Sequence, residues 1–194
     1  MQGSVLGGIL FIIFIDDLDD DILAFLRKFA DDMKLARIVE NENQAMEMQR
    51  DVDKLDEWAE KWGMQLNVGK CKVMHLGRKN KRHKYKMGGT ILESVEEEKD
   101  LGIWMHSSAK PHTQCEKAAK KANMALGMIL RAFHFRTKDT LVPLYKTFVR
   151  PKMEFSAAVW SPWTLTDEET LERVQKRLVR SLSDCHGDSC MRRG

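Results

Sequence analysis

Asp31 and Asp32 stand side by side at the end of an apolar run, in Phe29-Ala30-Asp31-Asp32. Adjacent carboxylates repel one another, and a divalent cation beside them relieves that repulsion, so the pair suits a metal site. Nucleotidyl transfer needs such a site, because two divalent ions there hold the attacking oxygen and the departing pyrophosphate in line. Most Asp-Asp pairs are only solvated turn residues, so the surrounding sequence has to decide. A second group is basic: Arg78, Lys79, Lys81, Arg82, Lys84 and Lys86, with His83 and Tyr85 between them. These cations suit phosphates, with Tyr85 free to stack on a base, while the blander and commoner reading is a solvated hairpin loop. Asp16 to Asp21 lacks the glycine and closing glutamate of a calcium loop and reads as a solvated helix end. Cys185-His186 with Cys190 is half of a zinc pattern without its second pair, and His75, His83, His106, His112 and His134 have no metal-ligand spacing.

The elements that must position these groups follow from periodicity. Ala24 to Ala30 and Met33 to Val39 are strand-like runs that pair as a hairpin with Asp31-Asp32 as its two-residue turn, where Asp tolerates unusual backbone angles. Gly3 to Leu18 reads as a helix that is hydrophobic nearly all round, which predicts burial on more than one side. From Asn41 to Trp62, Ala45, Met48, Val52, Leu55, Ala59 and Trp62 recur at three and four, with Asn41 or Asn43 as N-cap and Gly63 past the end. Cys71 to Leu76 and Leu101 to Met105 are expected strands, Gly77 to Lys86 a loop, and Gly88-Gly89 a tight turn. Beyond Ser107 three helices are expected: one striped from Cys115 to Phe133, one from Thr137 interrupted near Pro143 and closed near Pro151, and one from Thr166 to Leu182. The fold class is therefore α+β over residues 1–106, followed by an all-helical region over 107–194.

Composition sets the bounds. At 194 residues and 43% apolar the chain can bury a real core. Four scattered cysteines are too few for a disulfide scaffold and read as free thiols of a reducing nuclear or cytoplasmic setting. Val5 to Ile15 falls short of the roughly 20 apolar residues that span a bilayer, and it lacks a signal peptide's basic start and cleavage site. No membrane partner is expected. Residues 1–60 hold 6 Lys/Arg against 15 Asp/Glu, leaving 26 and 14 of the chain's 32 and 29 for residues 61–194. A net −9 half that could hold cations is thus joined to a net +12 half that could lie along phosphates.

The motif series carries a more specific resemblance. Gln2-Gly3-Ser4-Val5-Leu6-Gly7, the apolar run and Asp17-Leu18 are followed at a short interval by Phe29-Ala30-Asp31-Asp32. Then come Trp58-Ala59-Glu60-Lys61-Trp62-Gly63-Met64, Leu66-Asn67, Lys70-Cys71-Lys72-Val73-Met74, Glu98-Lys99-Asp100-Leu101-Gly102-Ile103, Tyr145-Lys146-Thr147-Phe148-Val149-Arg150-Pro151 and Leu171-Glu172-Arg173-Val174-Gln175-Lys176-Arg177. In content and order this series resembles the reverse transcriptases of non-LTR, jockey-like retrotransposons. The resemblance implies a partial polymerase palm, a β-hairpin with packed helices, over 1–106 and a thumb or connection region over 107–194. It implies that Asp31 ligates catalytic Mg²⁺ or Mn²⁺ with Asp32 in support, and that Lys70 stands near the departing pyrophosphate. An ordinary surface lysine is the alternative there. It also implies that Gln2, Gly3 and Ser4, with Phe29 and Ala30, lie beside the incoming nucleotide and template, where glycine permits close backbone approach.

The implied partners are an RNA template, a DNA primer and deoxynucleoside triphosphates. Gly8 stands where the family has proline, and Asp16 falls in a segment usually read as Ile-Asn. The family's third carboxylate comes from a segment ahead of Gln2, so the 194 residues alone are expected to be inactive, incompletely covered and prone to self-association. A noncatalytic retroelement remnant that at most binds nucleic acid is the alternative function, and a protein-interaction module explains none of the motifs. Nothing in the sequence resembles an endonuclease.

Overall fold

The computed structural model describes residues 5–133 and 137–183, and the chain divides into two compact units, Met1–Val95 and Glu96–Gly194. The division falls before the boundary expected near residue 106. The expected strand about Ile103 therefore goes with the helices.

In the first unit, helix α1 (Val5–Phe14) runs into a 3-10 turn over Asp16–Asp19. Strands β1 (Phe25–Phe29) and β2 (Asp32–Ala36) form an antiparallel hairpin, and helix α2 (Glu42–Lys61) follows. Asn41 caps α2 by accepting from Gln44 N at 2.9 Å, and Gly63 beyond its end takes φ +65°, as the spacing predicts. A 3-10 turn over Val68–Lys70 leads to β3 (Lys72–Met74), shorter than the strand expected from Cys71 to Leu76. Strands β4 (Lys86–Met87) and β5 (Thr90–Ile91) turn about Gly88 and Gly89 at φ +55° and +75°, and β6 (Glu93–Val95) pairs parallel with β3. Both turn residues need positive φ, which glycine supplies without strain.

Leu18, Leu26 and Leu55 make the centre of this unit, with Ile22, Leu35 and Trp58 packed around them. The burial expected for the first helix is not found. Leu6, Ile9, Leu10, Ile12 and Ile13 are 52 to 66% exposed, and burial begins only at Ile15 and Leu18. What anchors α1 is its last residue: the Phe14 ring meets Trp58 edge-on at 5.8 Å and Trp62 at 5.4 Å. Trp58 on α2 and Trp62 just past its end, four apart, face the same way for that reason.

The second unit opens with the hairpin β7 (Glu97–Asp100) and β8 (Ile103–His106), turning through Leu101 and Gly102. Helix α3 (His112–Ala132) is its spine, buried along Cys115, Ala118, Ala119, Ala122, Ala125, Leu126 and Ile129. The alanines let α7 (Leu165–Ser183) come close, so that Val174 and Leu178 join Leu126, Leu141, Tyr145 and Val149 in one core. Between them lie α4 (Lys138–Leu144), capped by Thr137, a wider π turn over Tyr145–Val149, α5 (Arg150–Glu154) and α6 (Ala157–Trp160). The widening follows Pro143, which has no N–H to give the helix. Pro151 does not close a helix, as expected, but starts α5, where a missing N–H is harmless. Among the described residues no helix is long and apolar enough to cross a membrane.

Candidate active site

The hairpin register pairs Phe29 with Asp32, so the two turn residues are Ala30 and Asp31. This corrects the expected turn by one residue: Asp32 is the first residue of β2, and it is Ala30, at φ +52°, that takes the left-handed backbone. An alanine there costs on the order of 1 kcal/mol. Asp31 and Asp32 are exposed at the tip, and neither carboxylate has a hydrogen bond or ion pair to another described residue.

The other end of the hairpin is held firmly. Asp51 of α2, 1% exposed, accepts from Ala24 N at 2.8 Å and Leu23 N at 3.2 Å, just before β1. Arg37, just after β2, donates to the same carboxylate at 3.3 Å and pairs with Glu47. One buried carboxylate thus fixes both open ends of the hairpin to α2 and leaves the tip projecting. From β1, Lys28 Nζ donates to the carbonyls of Ile15 at 2.9 Å and Asp16 at 3.0 Å and to Asp19 Oδ1 at 2.6 Å, tying the end of α1 to the hairpin. That hydrogen bond from Lys28 holds the Asp19 carboxyl below its usual range. With Asp17 accepting from Trp58 Nε1 at 3.0 Å, two carboxylates of the Asp16 to Asp21 run are engaged in packing contacts.

Asp51 and Arg37 were missed in the sequence. The signal was present: Asp51 lies three residues after Met48 and four before Leu55, a carboxylate on the apolar stripe of α2, where only a paired charge survives.

The remaining candidates are placed as follows. Phe29, 64% exposed, and Ala30 flank the pair at the tip. Lys70 ends an exposed 3-10 turn and makes no side-chain bond to Asp31 or Asp32. Gln2, Gly3 and Ser4 lie outside the described residues, as do His134 and Cys185, His186 and Cys190. Arg78, Lys79, Lys81, Arg82 and Lys84 are all exposed on their loop. Tyr85 is not available to a base: it is 6% exposed and stacks on His75 with ring centroids 6.4 Å apart. Lys84 shares its groove with Asp53, Asp56 and Glu57 of α2, so carboxylates already face that cation.

Comparison with known proteins decides the family. The model of the reverse transcriptase (RNA-dependent DNA polymerase) family matches residues 1–105. This chain belongs to the reverse transcriptase family. It is also 26% identical over 198 residues to the RNA-directed DNA polymerase from mobile element jockey of Drosophila funebris, an alignment covering 94% of this chain and 21% of that protein. No solved structure matches the chain. Reverse transcriptases use divalent metal ions, and the donor set at the tip fits one: two carboxylates with hard oxygens, accessible and unspent on any other described residue. It is a partial set. Among the described residues no three His, Cys, Asp or Glu side chains stand together as a metal-holding group.

Proposed function

We propose that this chain is part of the RNA-directed DNA polymerase of a jockey-like, non-LTR retrotransposon, with Asp31 and Asp32 at its catalytic end. The reading makes residues 1–106 a partial palm and 107–194 a thumb or connection region. The observation that carries it is the hairpin itself: a carboxylate pair without partners among the described residues at a strained tip, on a hairpin whose other end is fixed to α2 through Asp51.

In this reading Asp31 and Asp32 hold Mg²⁺, with Mn²⁺ able to replace it. Bound there, divalent ions supply charge neutralisation at the primer's attacking oxygen and at the departing pyrophosphate. Asp31 presents its carboxylate from the turn and Asp32 from the first position of β2, so both orientations are set by the hairpin register. Phe29 and Ala30 offer the surface beside the incoming nucleotide, together with Gln2, Gly3 and Ser4. Lys70 serves as proton donor to the departing pyrophosphate. The cations of 78–84 steady template or primer phosphates.

The test is primer extension on a poly(A) template with Mg²⁺ or Mn²⁺. The 194-residue chain is compared alone and joined behind the preceding segment of the jockey polymerase. Incorporation should appear only in the joined protein, because the third carboxylate is contributed from that segment, and removing one electrostatic element of this kind costs on the order of a hundredfold or more. Template-dependent incorporation by the unjoined chain would show that the third ligand lies within these 194 residues. A joined protein that folds, binds template and stays inert would favour the noncatalytic remnant.

A further inference from the structure

The basic loop lost its aromatic partner when Tyr85 turned inward, but a pairing of cations with accessible rings occurs elsewhere. In the second unit a cavity of about 390 Å³ opens between the β7–β8 turn, α3 and the segment from the π turn into α5. That volume lies within the range of small-ligand sites and has room for one nucleotide. Lys121 of α3 and Lys152 of α5 line it, and none of its lining side chains is a carboxylate. Neither lysine has an ion pair among the described residues, while nearby Glu154 is taken by Arg150 at 2.6 Å. Phe148 and Phe155 line the same cavity and are 55% and 53% exposed, so both rings are accessible from it.

Phe155 is also held in place. Its ring lies 3.0 Å from where a Cβ on Gly102 would stand, its carbonyl accepts from Trp160 Nε1 at 2.7 Å, and the next residue, Ser156, takes φ +53°. Gln114, 5% exposed, accepts from Trp104 N through its amide oxygen at 3.0 Å, which leaves the amide nitrogen as a donor, and Thr147 adds a hydroxyl.

We propose that this cavity binds one nucleotide unit of a single-stranded nucleic acid, with the phosphate between Lys121 and Lys152 and the base stacked on Phe148. Phosphate is the chemistry that two unpaired lysines without a carboxylate select, and a base is the planar partner that exposed rings select. The inference rests on the polymerase reading for its source of single strands, but it names a second contact, independent of Asp31 and Asp32 and of the 78–84 loop. It also gives the Glu98–Ile103 and Tyr145–Pro151 motifs a common purpose, since Gly102, Thr147, Phe148 and Pro151 all meet at this cavity.

The test is fluorescence anisotropy of the 194-residue chain, without metal, on labelled oligothymidylate and oligouridylate of about ten nucleotides and on an abasic strand of the same length. The chain should prefer strands with bases by about tenfold, since stacking one base is worth that order. Phe148→Ala should remove the preference and leave abasic binding unchanged, while Phe148→Tyr restores it. Lys121→Gln with Lys152→Gln should weaken all strands and lower the salt slope by about one. Melting curves establish that each variant is folded. A base preference that survives Phe148→Ala, or a salt slope unmoved by the lysine changes, overturns the cavity and leaves the polymerase reading standing. Failure of the folded chain to bind any strand likewise overturns the cavity, while the polymerase reading is decided by primer extension with the joined protein.

Discussion

Asp51 is the residue on which the candidate site depends most, although it is remote from the chemistry. Replacing it with alanine leaves the Leu23 and Ala24 amides without their acceptor and the Arg37 guanidinium with Glu47 alone, and losses of this kind cost about 3 kcal/mol. Urea unfolding followed by tryptophan fluorescence should show that loss for Asp51→Ala and a smaller one for Asp51→Asn, which keeps one acceptor oxygen. Equal stability of all three proteins would mean that the carboxylate does not fix the hairpin. A second residue-scale device lies in the other unit, where His112 Nδ1 meets Asp167 Oδ1 at 2.6 Å. The hydrogen bond to Asp167 raises the His112 pKa, with burial opposing it and Glu116 adding to it. Burial disfavours the Asp167 carboxylate, yet the bonds from His112 and Thr164 outweigh it and hold that group below its usual value. A raised histidine stabilises the fold fully below its unfolded value of about 6.5 and loses that contribution as pH rises through the folded one. A depressed Asp does the opposite, losing its contribution as pH falls through its folded value. The unit's melting temperature should therefore decline above about pH 6.5, modestly because the His112 side chain is 53% exposed and screened. His112→Gln should flatten that decline, and a melting temperature with the same slope in both proteins would count against the pairing.

At the scale of elements, much was legible because the signals were local. The α2 stripe with its Asn41 cap and Gly63 stop, the Gly88-Gly89 turn, the α3 stripe and the α7 helix all declare themselves within one window of sequence. What was not legible depended on partners far along the chain. The hairpin register is set by Leu26 and Leu35 packing toward Leu55, which moves the turn to Ala30-Asp31. Tyr85 follows β4 inward because Gln49 of α2 pairs both ways with the Lys86 backbone, at 2.8 and 2.9 Å. Its neighbours in sequence gave no hint of this. Gly102 shows the same contrast, since its motif was evident but its reason was not: φ +92° and the Phe155 ring both exclude a side chain. Gly102→Ala should cost about 2 kcal/mol, more than the roughly 1 kcal/mol of Gly63→Ala, where φ is +65° but the space is open. Thermal melts of the two variants compare strain with and without a collision. Equal losses would mean that Phe155 yields freely.

Taken whole, the molecule carries its acidic excess in residues 1–60 and its basic excess in residues 61–194 of the sequence, and it leaves a strongly apolar helix uncovered. Five large residues of α1 face solvent, and the hairpin adds Phe25 and Phe29, 55% and 64% exposed, on the face turned away from the unit's core. Apolar surface of that extent calls for a partner. The 194-residue chain should therefore self-associate in sedimentation experiments, and Leu10→Lys with Ile13→Lys should shift it towards monomer. A monomeric parent protein would show that α1 finds cover within the chain. The acidic stretch of the sequence also offers Asp16 to Asp21 and Asp53 to Glu57 as rivals to Asp31 and Asp32 for a divalent ion. Iron(II), substituted for that ion in the presence of ascorbate and peroxide, cuts the backbone beside the site where it binds, and mass spectrometry reads the position whether or not the chain self-associates. Cutting is expected next to Asp31 and Asp32, suppressed by excess Mg²⁺ and lost in Asp31→Asn; cutting centred on either rival run, undiminished in Asp31→Asn, would contradict a metal site at the hairpin tip.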